Sequence, residues 1–254
     1  MEDENLKPVK FGFKSVELGR KQNLVNQIFS NVAQKYDLAN DVISFGSHRF
    51  WKKQFCSQVH NLDAKILDVA SGTGDIALQM KSRGKEQGKN PHIVLCDINC
   101  DMLKIAKSKA INKNMFRGFD YVVANAENLP FLDNSFDYYT IAFGMRNIPR
   151  IEKALKEAYR VLKPMGKFLC LEFSKISNQN LEELYKFYSF SILPQIGKII
   201  TGNKEAYDYL VESIGMFPDQ ETFRNMICDV GFKNVVYQNL TLGVAAIHSG
   251  YKLS

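Results

Sequence analysis

From Lys65 onward the chain alternates short apolar runs with longer amphipathic stretches, and the first junction between them constrains the fold most. Ile66-Leu67-Asp68-Val69-Ala70 leads into Ser71-Gly72-Thr73-Gly74-Asp75 and then Ile76-Ala77-Leu78. That order predicts a buried strand over 65–70, a turn of small residues, and a helix over 74–83. The rhythm repeats as strand 92–97 with helix 100–113, strand 119–123 with a loop, strand 136–143 with helix 150–162, and strand 166–172. Near-continuous apolar strands such as Ile141-Ala142-Phe143 suit a parallel sheet covered on both faces. Two closing runs, Asn234 to Asn239 and Gly243 to His248, have little between them, which implies an antiparallel pair. The expected class is α/β and Rossmann-like: a mostly parallel seven-stranded sheet ending in an antiparallel hairpin, with helices on both faces.

The strand ends carry the chemistry. At the first, Gly72 and Gly74 let the backbone approach a ligand closely, and the helix start offers free N–H groups. Ala70 and Thr73 belong to the same turn. At the second, Asp97 followed by Ile98 places a carboxylate where ribose hydroxyls can donate to it. At the third, Asn125 and Ala126 stand where a polar group reads an adenine edge between small and apolar walls. Asp68 and Asp75 are alternatives that organise the turn by hydrogen bonds. Together the three tips describe a pocket for an adenosine without a pyrophosphate. A dinucleotide site prefers G-x-G-x-x-G, a spacing that Gly72-Thr73-Gly74 does not continue. S-adenosylmethionine is therefore favoured over NAD, and the sheet pattern matches that of class I methyltransferases.

Composition sets the outer bounds. A chain of 254 residues, 45% hydrophobic, can bury one substantial core, so 1–254 reads as a single domain. The stretch 1–60 reads as an N-terminal helical cap and 175–217 as a helical insertion near the substrate mouth. The net charge of +6 is spread along the chain, the pattern of a solvated surface, and no basic aromatic-interleaved appendage for nucleic acid is visible. Five cysteines without a C-x-x-C pair indicate a reducing compartment and neither a disulfide framework nor a metal site. Nothing resembles a signal peptide or a spanning segment, so a cytoplasmic protein is expected. Ser82 to Pro91, rich in Lys and Gly, reads as a surface loop.

Two longer stretches are more specific than the glycine turn. Tyr36-Asp37-Leu38-Ala39-Asn40-Asp41-Val42-Ile43-Ser44-Phe45-Gly46-Ser47-His48-Arg49-Phe50-Trp51 resembles the first signature of the ubiquinone/menaquinone biosynthesis C-methyltransferases. Arg160 to Ser174 resembles the second, and Phe143-Gly144-Met145-Arg146-Asn147 and Tyr207 to Ile214 are similar to the same family. The resemblance spans Phe11 to Tyr251. Three positions depart from it. Ala39 stands in place of a usual Met, Met165 replaces a usual glycine and so implies no positive φ there, and Ala142 replaces a common serine at the cofactor site.

The resemblance implies transfer of a methyl group from S-adenosylmethionine to a ring carbon of a prenylated benzoquinol or of demethylmenaquinol. Such a reaction needs the ring carbon held in line with the S–methyl bond and a ring hydroxyl deprotonated. Candidate catalytic residues are Arg146, His48, Asp37 and Tyr36. Arg146 would stabilise a phenolate or position a water, against a structural salt bridge to Glu172. His48 would move protons, against capping the Gly46 turn. Trp51 reads as a core anchor. The apolar stripe of Leu181, Leu184, Tyr188, Ile192 and Ile199, with Phe187, Phe190, Lys186 and Lys198, is expected to admit a prenyl tail and to touch the inner face of the membrane peripherally. A quinone-synthesis assembly and a homodimer are the expected associations. The competing readings are a methyltransferase for another small molecule or RNA, and an inactive cofactor-binding scaffold.

Overall fold

A strand buried on both faces must be covered twice, and the central strands here are. In the computed structural model, which describes residues 8–32, 41, 44, 46–176 and 204–254, β3 (Lys65–Val69) sends Leu67 and Val69 to one apolar cluster and Ile66 to another. The first cluster is closed by α5 (Ile151–Val161) through Leu155 and Ala158 and by α7 (Gln220–Asp229) through Phe223 and Ile227. The second is closed by α2 (Ser47–Ser57), α3 (Asp75–Glu86) and α4 (Cys100–Asn112) through Phe55, Met80 and Leu103. Period-two alternation along each strand thus feeds two helical layers.

The remaining strands of the sheet are β4 (His92–Asp97), β5 (Phe119–Val123), β6 (Phe136–Ala142), β7 (Leu162–Phe173), β8 (Lys233–Leu240) and β9 (Ala245–Tyr251). Their order is β5-β4-β3-β6-β7-β9-β8. Pairs from β5 through β7 are parallel, and β9 is antiparallel to both β7 and β8. The chain runs outward from β3 to β4 and β5, then returns to β6 on the other side of β3. That reversal opens a crevice beyond the carboxyl ends of β3 and β6. Local capping fixes the flanking helices: Asn99 accepts from the N–H groups of Asp101 and Met102 at the start of α4, and Asp219 accepts from Thr222 N–H at 2.8 Å. Trp51 is buried in the core, its indole N–H donating to Thr241 Oγ1 at 2.8 Å.

Three expectations are corrected. Within the 1–60 stretch read as a helical cap, residues 8–17 form an antiparallel hairpin, β1 (Pro8–Phe11) and β2 (Lys14–Glu17), ahead of α1 (Leu18–Val32). The Ser82–Pro91 loop is half helix, because α3 runs to Glu86; buried Lys81 then ties down the rest by donating to Asn90 Oδ1 and to Pro91 O at 2.8 Å. Met165 has φ 65° despite its side chain, in the left-handed region where glycine is favoured. Its N–H donates to Lys252 O at 2.6 Å, and the neighbouring Gly166 leaves no room to redistribute the turn, since a Cβ there would lie 2.7 Å from Lys163 O. A further helix, α6 (Lys204–Met216), precedes α7. Tyr36, Asp37 and the stripe from Leu181 to Ile200 lie outside the described residues.

Candidate active site

The strand tips converge. A crevice at the switch point is lined by Ala70 and Gly72 after β3, Asp97 at the end of β4 and Ile98 after it, Asn125 and Ala126 after β5, and Ala142 at the end of β6. Its backbone is held in uncommon conformations: Ala70 has φ 50° and Phe143, also in the lining, φ 57°. Left-handed residues of this kind persist only where packing over-determines them, and they concentrate at ligand sites. Gly144 shows the packing: a Cβ on it would collide with Ala70 Cβ. A Cβ on Gly72 would meet nothing within 4 Å, so this glycine leaves open space inside the crevice.

Asp97 ties two of these tips together. Its Oδ2 accepts from Gly72 N–H and its Oδ1 from Asn99 N–H, each at 2.8 Å. Burial pushes its carboxyl above the usual range, with the N–H groups of Asn99, Gly72 and Ile98 opposing. Each carboxylate oxygen retains a further lone pair for a ligand hydroxyl. Asn125 braces its own loop, Oδ1 accepting from Glu127 N–H at 2.9 Å, while Ala126 supplies a small wall.

Thr73 and Gly74 are placed differently from the expectation. Thr73 is buried beside the crevice in a smaller hollow with Asp68, Ser71 and Asp75, and its hydroxyl accepts from Lys109 Nζ at 2.7 Å. Gly74 serves packing, since a Cβ would lie 2.9 Å from Ala106 Cβ. Asp75 pairs with Lys52 at 2.7 Å and Lys109 at 3.1 Å, two cations that hold its pKa down at about 2 against burial. Asp68 is fully enclosed, accepts from Thr140 Oγ1 at 2.8 Å, and is pushed up to about 7 by burial. These two carboxylates organise the turn from behind.

His48 does not reach the crevice lining. It faces a polar hollow with Asp41, Lys52 and Asp75, its Nε2 3.2 Å from Asp41 Oδ1 and its Nδ1 buried without a partner. Burial lowers its pKa to about 4, so it is neutral at pH 7. Arg146, in the single turn Met145–Asn147 after β6, forms the ion pair that was its structural alternative: Nη1 donates to Glu172 Oε1 at 2.8 Å and to Phe143 O. It lines a second cavity with Lys21, Tyr209 and Ser213, which meets the crevice along Ile148 and Pro149. Tyr209 donates to Asn147 Oδ1 at 3.1 Å. The strand-tip argument missed Gln22, Asn26, Asn99, Met102 and Asn147 in the crevice lining. The first two come from α1, which no strand-tip pattern addresses.

The family model described as the ubiE/COQ5 methyltransferase family matches residues 17–252. The chain belongs to that family. Among its relatives in this family, the protein of Rickettsia bellii named ubiquinone/menaquinone biosynthesis C-methyltransferase UbiE is 62% identical, covering 96% of this chain and 98% of the relative. The Rickettsia prowazekii protein of the same name is 61% identical with the same coverage. Solved structures share the fold at greater distance. A methyltransferase of Thermotoga maritima described as dependent on S-adenosylmethionine matches with a TM-score of 0.61 and 20% identity, over 89% of this chain and 99% of that one. A Haemonchus contortus phosphoethanolamine N-methyltransferase bound to S-adenosyl-L-methionine matches with a TM-score of 0.59 and 15% identity, over 80% and 52%. The family and the sheet order make this chain a class I methyltransferase of the S-adenosylmethionine-dependent kind.

Proposed function

We propose that this chain transfers the methyl group of S-adenosylmethionine to a ring carbon of a polyprenylated benzoquinol or of demethylmenaquinol. The observation that carries the acceptor is near-full-length identity of 60–62% to relatives named as ubiquinone/menaquinone biosynthesis C-methyltransferases. The fold alone does not choose it, because the structural neighbours include N-methyltransferases.

The residues present fit the cofactor. Asp97 has lone pairs for ribose hydroxyls, Gly72 leaves space for close backbone approach, and Ile98, Met102 and Ala126 offer apolar walls to an adenine. When bound, the sulfonium supplies an electrophilic methyl group. What the chain must add is a dry, oriented seat for the ring. The cavity beyond Ile148 and Pro149 suits one: Val9, Met216 and Phe217 give apolar walls, and Tyr209 and Arg146 give polar edges. Arg146 acts by holding the Phe143 carbonyl and Glu172 in register, because its Nη1 is committed to them. No helix among the described residues is long and apolar enough to cross a membrane. The apolar and basic composition of residues 181–200, which lie outside the described residues, supports the further proposal that they receive a prenyl tail at a lipid surface.

Methyl-labelled cofactor with tail-less demethylated benzoquinol and naphthoquinol tests this reading. Label is expected in one or both quinols and absent from histamine and phosphoethanolamine. Transfer to an amine with none to a quinol would replace it.

A further inference from the structure

Buried lysines need acceptors, and all but one of those described have them. Lys81 donates to Asn90 and Pro91, Lys167 to Gln58 O at 3.3 Å, and Lys252 to Asn134 Oδ1 at 2.7 Å. Lys21 on α1 is 6% exposed, yet among the described residues no hydrogen bond or ion pair to it is found. It lines the cavity that adjoins the cofactor crevice, and the next residue, Gln22, lines the crevice itself. A buried cation with no hydrogen-bonded acceptor, offset only in part by the charge of Glu127, is costly to the empty protein, and an anionic ligand group would offset more of that cost. Of the other polar groups in the lining, the Tyr209 hydroxyl donates to Asn147 and Arg146 Nη1 to Glu172, while Arg146 Nε is buried without a hydrogen-bond partner and is a second donor beside Lys21.

Resting on the quinol reading above, we propose that Lys21 is a catalytic residue whose Nζ binds the quinol oxygen that must lose its proton for the ring carbon to become nucleophilic. The quinol O–H gives its proton to the neutral amine, leaving a phenolate against an ammonium. After methylation the ring C–H proton leaves to water and the aromatic ring is restored. Nζ then returns its proton to the quinol oxygen, so one proton is released per methyl transferred. An amine with an ordinary lysine pKa would stay protonated and serve poorly as the acceptor. Burial lowers Lys21 to about 8, with Glu127 pulling the other way, which puts the neutral form within reach. Elements packed on α1 also carry Lys10, Lys14 and Glu17 on the hairpin, Asp101, Lys104, Lys107 and Lys109 on α4, and Asp208 and Glu212 on α6, and Arg146 lines the same cavity; none of these shifts Lys21, and Glu127 is the one charged group that does.

The test uses the full chain as wild type, Lys21→Met and Lys21→Arg. Wild-type kcat/KM for a tail-less quinol is expected to rise with pH through a midpoint near 8. Both variants should lose about 100-fold or more and lose that limb, because neither side chain can take the proton in this range. Affinity for S-adenosylmethionine by calorimetry should stay within about threefold of wild type, as expected when only uniform cofactor binding is preserved. A second readout does not depend on turnover. In ¹⁵N-lysine spectra the resonance missing from Lys21→Arg should titrate near 8. Adding the methylated tail-less quinol should move that midpoint. If Lys21→Arg keeps the wild-type profile, or the resonance ignores the quinol, the assignment is wrong. A wild type inactive on every quinol would instead overturn the acceptor reading on which it rests.

Discussion

Replacing Asp97 with Asn separates the two tasks of the carboxylate. Each oxygen accepts one backbone N–H at 2.8 Å, from Gly72 and from Asn99. An asparagine keeps one acceptor oxygen and turns an amide donor toward the other N–H, leaving a buried donor unpaired. That should lower the stability of the cofactor-free protein by about 1–3 kcal/mol. The lost charge also weakens the ribose hydrogen bonds, which at about 1.5–3 kcal/mol corresponds to roughly 10- to 150-fold in affinity for S-adenosylmethionine. Urea denaturation reads the first effect and calorimetry the second. Because burial raises the Asp97 pKa, wild-type affinity should also begin to fall on acidification above the ordinary carboxylate range. A variant that is destabilised yet binds the cofactor within twofold of wild type would refute the ribose placement and leave Asp97 as a brace of the turn.

Three further outcomes follow from the geometry. Arg146→Met or Glu172→Gln alone should cost about 3–5 kcal/mol by stranding a buried partner, whereas Arg146→Met with Glu172→Leu should recover most of it in urea unfolding. Met165→Gly should stabilise by about 0.5–1 kcal/mol, the left-handed cost removed less the entropy added to the unfolded chain; an unchanged midpoint would show that the strain is relaxed in solution. His48 and His248 are both held to about 4 by burial, against 6.5 for the free side chain, so the unfolded chain binds more protons between those values and their stabilisation is lost as pH falls from 6.5 to 4. Asp68, raised to about 7, acts in the opposite sense between 3.8 and 7, so His248→Gln should flatten the fall of stability with acid, and an unaltered slope would remove His248 from the account.

The sheet was legible because its strands are apolar, uninterrupted and closed by small-residue turns. Asp97, Ala70, Asn125 and Ala126 could be placed at one crevice because parallel strands bring successive tips to one edge. The hairpin at 8–17 was not legible: Pro8–Phe11 and Lys14–Glu17 are four-residue strands with charged or exposed positions and no strong period. The setting of Thr73 was not legible for a different reason. Its hydroxyl is claimed by Lys109, which lies thirty-six residues onward, on α4, a tertiary contact that turn chemistry cannot reveal. The same holds for Arg146: its position at a strand end is readable, but whether Glu172 neutralises it depends on the pairing of β6 with β7. Met165 shows tertiary packing overriding a local preference, with the φ set by the bond to Lys252 rather than by the side chain.

The central claim is methylation at carbon. With ¹³C-methyl S-adenosylmethionine and a tail-less demethylated quinol, the NMR spectrum of the extracted product reads the site of the label directly. The account predicts a methyl signal bonded to a ring carbon with loss of one ring proton. A label on a quinol oxygen, with every ring proton retained, would contradict it.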